Sequence, residues 1–301
     1  MVAVIGGVVY YFSNNYSTTS FYVKSIDLSK LFLSSLLLLI VRFFTIDLVK
    51  NSLKSIGWKP DFLKAFIFVS ISQLGKYIPG GVWQFVARFS SYKENGISIR
   101  DTGKAFLVEN LWLILGSFLV GVCFVFISLP SDFLKQLGIT TSIEIQILIA
   151  ILSMIIWICV LIIIEKYFRP KGIHFSFRNV IGQFFSQTLM WILYGISFFL
   201  LFNRTGTVND LLYCIGAFSL SFMGGYLVIF APGGLGVREA IAIMFFSMKF
   251  TNSEIGVYAI VHRFLYTIVE FLLAGISFFL IRYQEHIIHD RTNKRNIQGE
   301  N

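Results

Sequence analysis

Seven ionisable side chains interrupt apolar stretches of this sequence, and they are its first candidates for chemistry. They are Arg42, Lys76, Glu109, Arg238, Glu239, His262 and Arg263. A charge at the centre of a bilayer costs roughly 2.5–3.5 kcal/mol on insertion scales, so charged residues at that depth usually have partners or a task. The arginines and the lysine outnumber the two glutamates. The set therefore predicts a polar cavity that holds an anionic headgroup, such as a phosphate or diphosphate. For Lys76 and His262 a structural role is an equal alternative.

Three further ionisable residues in the apolar stretches are expected to be structural. Asp47 and Arg88 lie near predicted helix ends, where a side chain can snorkel to the membrane interface. Glu270 follows Arg263 by about two helical turns, on roughly the same face, and is expected to form a structural ion pair.

Two Pro-Gly-Gly triplets break the apolar stretches. Proline and glycine end a helix and free backbone groups that lipid cannot satisfy, so a break at membrane depth must face protein or water. The helix that starts after each break, near Val82 and near Leu235, presents free N–H groups and a positive dipole end that suit an anion. The predicted helix breaks are Pro79, Gly80, Gly81, Pro232, Gly233, Gly234 and Gly236.

The composition predicts an all-α, polytopic membrane protein. The 301 residues are 56% hydrophobic and 14% charged, whereas a soluble domain carries roughly 25% charged residues. A single transmembrane domain is expected over residues 1–282, followed by a polar, frayed tail at 283–301. Residues 2–12 are apolar but too short for a full span. Stretches near the 20 residues that a spanning helix needs lie at 31–49, 105–129, 143–164, 180–202 and 255–281.

The loop charges predict the topology. Basic residues concentrate at 50–59, 88–104, 166–178 and beyond 282, and the positive-inside rule places these segments and both termini in the cytoplasm. This parity requires residues 62–89 to enter and leave on one side as a re-entrant helical hairpin. It also makes residues 211–248 start and end outside, as a hairpin or a pair of short spans.

The two broken segments point to an internal repeat. Pro79 and Pro232 are 153 residues apart, and a polar residue follows each by thirty positions, Glu109 and His262. The predicted pseudo-repeats, about 31–129 and 180–281, have opposite orientations. This is the inverted-repeat plan of secondary transporters, which place the substrate site between the repeats.

The sequence does not support nucleic-acid binding or metal and cofactor chemistry. The net charge of +9 fits cytoplasmic loops, and no basic patch interleaved with exposed aromatics indicates nucleic acid. Cys123, Cys159 and Cys214 lie singly in apolar stretches, so neither a metal site nor a disulfide is predicted. No cofactor is expected. The N-terminus lacks the features of a cleaved signal peptide.

Two motifs carry a family resemblance. LGKYIPGGVWQ at 74–84 and APGGLGVREA at 231–240, followed by an arginine in the last span, resemble the lysylphosphatidylglycerol synthase transmembrane-region family. The resemblance implies a polytopic inner-membrane protein of the cell envelope, flippase-like, that stands alone without the transferase domain and does not synthesise lysylphosphatidylglycerol. Where relatives tend to place an acid–arginine pair, this chain has Glu109-Asn110. The positions carried over are Pro79, Gly80, Pro232, Gly233, Gly234, Gly236, Arg238, Glu239 and Arg263.

Three functions are compatible with these features. The first is translocation of an anionic phospholipid or lipid-linked glycan across the cytoplasmic membrane, with the headgroup in the polar cavity. The second is a membrane-embedded transferase acting on a lipid-linked sugar or phospholipid, with Glu109 or Glu239 as the base. The third is a scaffold for a synthase or glycosyltransferase of envelope biosynthesis, which predicts no wet cavity.

Overall fold

The computed structural model describes residues 16–78, 82–128, 142–168, 176–202, 206–228, 236–247 and 250–297. Over these residues the protein is 88% helical without a strand, and the predicted all-α fold is confirmed. A 3₁₀ turn at Gly75–Tyr77 follows the third helix. In chain order the helices are α1 (Tyr16–Lys24), α2 (Leu28–Ser55), α3 (Phe62–Leu74), α4 (Trp83–Glu94), α5 (Ile99–Ser128), α6 (Ile143–Phe168), α7 (Phe177–Phe199), α8 (Val208–Leu227), α9 (Val237–Phe246) and α10 (Asn252–Ile297).

Short polar side chains start several of these helices. Asp27 accepts a hydrogen bond from the Ser29 backbone N–H at the start of α2 (2.9 Å), and Asp61 accepts one from Lys64 at the start of α3 (2.7 Å). Thr207 and Asp210 form a capping box on α8. These side chains satisfy backbone donors that a helix leaves unpaired at its first turn.

Five of the described helices, α2, α5, α6, α8 and α10, are long and apolar enough to cross a membrane. The predicted span at 180–202 corresponds to α7, which is not among them although its 23 residues would reach about 34 Å. Its hydropathy is low because it buries glutamine and serine side chains inside the protein. The predicted apolar segment at 2–12 lies outside the described residues.

Helix α7 is the centre of the bundle. It packs against α2, α5, α6, α8 and α10. Beside it, α5 and α8 approach so closely that a Cβ added at Gly216 would lie 2.5 Å from the Val125 backbone nitrogen. A second buried cluster joins α6 to this centre through Trp112, Trp157 and Phe184.

Helices α3 and α4 form an antiparallel hairpin. Gly75 packs against the backbone of Gln84 at the closed end, and the Phe68 and Tyr92 rings meet further along. The helices have 13 and 12 residues, which corresponds to about 20 Å each. Each is too short to cross the roughly 30 Å hydrocarbon core of a bilayer.

Helices α8 and α9 form a second hairpin. A Cβ at Gly225 would lie 2.7 Å from the Cβ of Arg238 near the closed end. Towards the open end, the Tyr213 hydroxyl donates a hydrogen bond to the Phe245 carbonyl (2.5 Å). The returning helix, α9, has only 10 residues.

The closed ends of the two hairpins meet at the middle of α10, between Arg263 and Glu270. Tyr77, in the 3₁₀ turn after α3, contacts Thr267, while residues of α3 itself share a small cavity with Leu273. The first hairpin therefore approaches the middle of α10 from the side of that helix's C-terminal end. The second hairpin opens towards the N-terminal end of α10, because α9 ends at Phe246 shortly before α10 begins.

The helix starts follow the offset noted in the sequence. Helices α4 and α9 begin at residues 83 and 237, and α5 and α10 begin at 99 and 252. These starts are 154 and 153 residues apart. The assignment of residues 31–129 and 180–281 as inverted pseudo-repeats, and the membrane side of each hairpin, remain predictions.

The C-terminal tail differs from the expectation. A frayed tail is predicted at 283–301, but α10 continues to Ile297. The sequence from 283 to 297 contains neither proline nor glycine, so no residue there ends the helix.

Candidate anion-binding cavity

A polar cavity lies where the two closed hairpin ends meet α2, α5, α7 and α10. Its volume is about 120 Å³. Glu109 is its acidic lining residue, and four tyrosines, Tyr77, Tyr194, Tyr226 and Tyr266, also line it. The basic lining residues are Arg42, Lys76, Arg88, Arg238 and Arg263.

Glu270 of α10 binds the first group of cations. Its carboxylate is 2% exposed and pairs with Arg42 and with the Lys76 ammonium (2.5 Å). The Tyr77 hydroxyl donates to its other oxygen (2.5 Å). One carboxylate thus joins α2, the closed end of the first hairpin and α10. The expected structural role of Glu270 takes this form, with Arg42 and Lys76 as its partners rather than Arg263.

Tyr266 supports the same two cations from α10. The Arg42 guanidinium carbon and the Lys76 nitrogen lie 4.2 and 4.3 Å from its ring centre. Both distances are within the range of cation–π attraction.

Arg88 corrects an expectation, because it does not snorkel to an interface. It is 4% exposed and its Nη1 donates to both carboxylate oxygens of Glu109 (2.6 and 2.8 Å). Its Nε donates to Ser72 (3.0 Å). The hairpin turns α4 back against α3 and α5, which places this arginine in the interior. The glutamate of Glu109-Asn110 therefore finds its arginine on α4 rather than beside it in sequence.

Asp47 also points into the protein. Its carboxylate is half-buried and accepts hydrogen bonds from Asn51 (3.0 Å) and Ser186 (3.5 Å). The contact with Ser186 joins α2 to α7. The expectation of a snorkelling Asp47 is wrong for this reason.

Glu239 serves two contacts at the start of α9. Its Oε2 accepts a hydrogen bond from the Gly236 N–H (2.8 Å) and its Oε1 pairs with Arg263 of α10 (2.7 Å). Gly236 has a φ of +83°, a conformation that glycine adopts without steric cost.

The remaining predicted helix breaks, Pro79, Gly80, Gly81, Pro232, Gly233 and Gly234, lie outside the described residues, as does the expected helix start at Leu235. At the other expected start, Val82 caps α4 without a side-chain hydrogen bond. The backbone nitrogen of Gln84 there lies against Gly75.

Arg238 is the charged lining residue with the least compensation. Its guanidinium lies over the rings of Phe218 (4.6 Å) and Phe222 (5.0 Å). Within the part of the chain that the structure describes, it forms neither an ion pair nor a hydrogen bond. Among the described residues it is therefore the lining cation without a carboxylate partner.

His262 lies beside the cavity but does not line it. It is 1% exposed and its Nε2 forms a hydrogen bond with the Ser197 hydroxyl (2.8 Å). The rings of Phe198 and Phe218 surround it. Its contacts are those of a core residue.

The sequence model of the family described as lysylphosphatidylglycerol synthase TM region matches residues 2–274. The chain belongs to this family. The match includes both hairpins and every residue that lines the cavity. The family and the apolar helices together identify a multi-pass membrane protein of a lipid-related family. A search of curated proteins gives no sequence match.

The cavity of this family member carries a surplus of positive charge. Over the described residues, five cations and three carboxylates meet there, which leaves two positive charges in excess. The carboxylates are Glu109, Glu239 and Glu270, and the cations are Arg42, Lys76, Arg88, Arg238 and Arg263. A buried surplus of this sign favours an anion.

Sequence reasoning missed Arg88 and the tyrosines as lining residues. Tyr266 had a usable signal, because it lies three residues after Arg263 and four before Glu270, on one helix face. Tyr194 and Tyr226 lacked a comparable signal, since they reach the cavity only through the packing of α7 and α8.

Proposed function

We propose that this protein moves an anionic lipid, either a phospholipid or a lipid-linked glycan, between the leaflets of the cytoplasmic membrane. One observation carries the proposal: Arg238, which has no carboxylate partner among the described residues, lines a cavity where the closed ends of two oppositely directed hairpins meet. The headgroup binds in this cavity while the hydrocarbon chains stay in the bilayer.

The chemistry of the cavity suits a phosphate. Leaving water is costly for an anionic headgroup unless charged donors replace its hydration. Arg238 offers a planar pair of N–H donors, which match phosphate oxygens bidentately. Lys76 adds a second charge from the first hairpin.

Glu270 competes with the ligand for cations of the cavity. It holds Lys76 and Arg42, the two cations that a phosphate in the cavity also attracts. When the headgroup draws Lys76 away, the closed end of the first hairpin loses a contact to α10. Ligand binding is thereby coupled to the position of that hairpin, because a ligand shifts a conformational equilibrium only through differential contacts.

In this proposal both hairpins are re-entrant and belong to inverted repeats. Rocking of the repeats exposes the cavity to one leaflet and then to the other. Both termini are cytoplasmic by the positive-inside rule. A synthase or glycosyltransferase of the cell envelope, acting on the same lipid, is the expected protein partner.

The contacts of the glutamates disfavour the alternative of a membrane-embedded transferase. Both oxygens of Glu109 accept from Arg88, and those of Glu239 accept from Gly236 and Arg263. Each carboxylate oxygen is thus already engaged by a protein donor, whereas a general base needs a carboxylate within hydrogen-bond reach of the substrate proton.

The test uses purified protein in vesicles that contain a fluorescent phosphatidylglycerol, a fluorescent polyprenyl diphosphate sugar or a fluorescent phosphatidylcholine. Dithionite added outside bleaches only the outer leaflet. We expect bleaching beyond that fraction for at least one anionic lipid and not for phosphatidylcholine. Failure of both anionic lipids, or equal movement of all three, contradicts the proposal. Formation of a new lipid product without crossing, lost with Glu239→Gln, supports the transferase instead.

A further inference from the structure

Helix α7 carries a row of polar side chains in the interior that take no part in the ion pairs described above. Gln183, Gln187, Trp191 and Tyr194 follow one another at spacings of four, four and three residues, which keeps them near one face of the helix. All four are at most 3% exposed. The row therefore crosses protein interior rather than lipid or bulk solvent.

Most polar atoms in this row have no hydrogen-bond partner among the described residues. The Gln183 Nε2, both polar atoms of Gln187 and the Trp191 Nε1 form no hydrogen bond within the described part of the chain. Buried polar atoms of folded proteins nearly always have a partner, which is either protein or ordered water. An amide with both atoms unpaired, as at Gln187, is the strongest such case here.

The two ends of the row reach defined places. At one end, Trp191 and Tyr194 line the anion-binding cavity. At the other end, the Gln183 Oε1 accepts a hydrogen bond from Asn51 (2.5 Å). Asn51 also donates to Asp47 (3.0 Å) and accepts from the half-buried Lys54 (3.0 Å) near the end of α2. Gln187 fills the interval between the two ends.

We propose that bound water molecules bridge Gln183, Gln187 and Trp191 and connect the cavity to Asn51 and Asp47. Residues four apart on a helix are separated by about 6 Å along its axis. Two hydrogen bonds of about 2.9 Å through one water span this distance. Each water then has two or more polar partners, as buried waters require.

This route hydrates the cavity from the end of the molecule where α2 finishes, independently of any opening towards lipid. Water can then replace a departing headgroup while the hairpins remain closed. The water site itself does not depend on the transport activity and can be tested without it.

The accessibility test uses single cysteines in a chain whose own Cys123, Cys159 and Cys214 are replaced by alanine. We expect Ag⁺ ions to modify Gln187→Cys and Gln183→Cys in the purified protein. Val180→Cys is the matched control, because Val180 is fully buried on the same helix but nearer its end. Modification of Gln187→Cys no faster than of Val180→Cys overturns the proposal. Modification of Gln187→Cys without Gln183→Cys overturns the connection to Asn51.

A stability measurement covers the case in which a cysteine variant fails to fold. Gln187→Leu removes the amide and leaves an apolar side chain of similar size. In a hydrated site this change strands the bridging water, and we expect a lower Tm. In a dry site it removes an unsatisfied amide, and the Tm rises. A raised Tm therefore overturns the proposal.

Discussion

The two hairpins have similar architecture and opposite charge arrangements. In the first, the short helix carries the arginine and the long helix the carboxylate, as Arg88–Glu109. In the second, the short helix carries the carboxylate and the long helix the arginine, as Glu239–Arg263. Each pair fastens a short returning helix to the long helix that follows it in sequence.

The hairpins also differ in the charge that remains once their ion pairs have formed. In the first, Arg88 is enclosed and its charge is neutralised by two hydrogen bonds to Glu109. In the second, Arg238 stands next to Glu239 in sequence but outside its ion pair. In the first hairpin the arginine of the short helix is thus paired, whereas in the second Arg238 has no carboxylate partner among the described residues, although both hairpins place cations at the cavity. The two hairpins thus share a geometry but have different roles, because their charged residues occupy different positions along the sequence.

The largest expected effect concerns the pair of the first hairpin. Glu109→Ala leaves Arg88 buried without its counter-ion, and such a loss costs about 3–5 kcal/mol of stability. Unfolding in detergent, followed by circular dichroism, measures it. The double variant Arg88→Met/Glu109→Leu removes both charges and should recover most of the loss. A stable Glu109→Ala variant contradicts the enclosed pair.

A smaller effect is expected for the pair of the second hairpin. Its two side chains are 17% and 15% exposed, so water compensates part of the lost contact. Arg263→Ala should cost about 1.5–3 kcal/mol, the range of a hydrogen bond to a charged group. The same unfolding assay compares it with Glu109→Ala. Equal or greater loss for Arg263→Ala removes the distinction between the hairpins.

The smallest effect concerns the residue before each short helix. Gly236 has a positive φ, whereas Val82, which precedes α4, has a φ of −99°. Gly236→Ala should cost about 1–2 kcal/mol, because a Cβ is strained in the left-handed region. Val82→Ala, in an ordinary conformation, is the control and should be close to neutral. Indistinguishable unfolding midpoints for the two variants would count against the described turn.

The sequence was sufficient to predict the features that depend on residue type and on depth in the membrane. Ionisable residues are rare in apolar stretches, so Arg42, Lys76, Glu109, Arg238 and Arg263 could be selected without a structure, and all five line the cavity. The all-α class and most spanning helices followed from hydropathy in the same way.

The sequence was not sufficient to predict the features that depend on how the helices pack against one another. From the sequence alone, Arg88 lies near a predicted helix end. Only the packing of the hairpin places it in the interior. Helix α7 has polar residues that lower its hydropathy, and only its central position explains them. His262 matches Glu109 in spacing, but the packing around Ser197 places it in the core.

The central claim is that Arg238, which has no carboxylate partner among the described residues, holds an anionic headgroup. Transport by Arg238 variants tests it most directly. Arg238→Ala should slow movement of the anionic lipid in vesicles at least about tenfold, since a charged hydrogen bond is worth about 1.5–3 kcal/mol and 1.4 kcal/mol corresponds to a factor of ten. Arg238→Lys should recover part of the rate, because lysine keeps the charge but loses the bidentate geometry.

The matched control is Arg282→Ala, which removes an arginine whose side chain is 87% exposed, and it should move lipid at the wild-type rate. The account predicts a rate order of wild type and Arg282→Ala, then Arg238→Lys, then Arg238→Ala. A folded Arg238→Ala protein that moves the anionic lipid as fast as Arg282→Ala contradicts it.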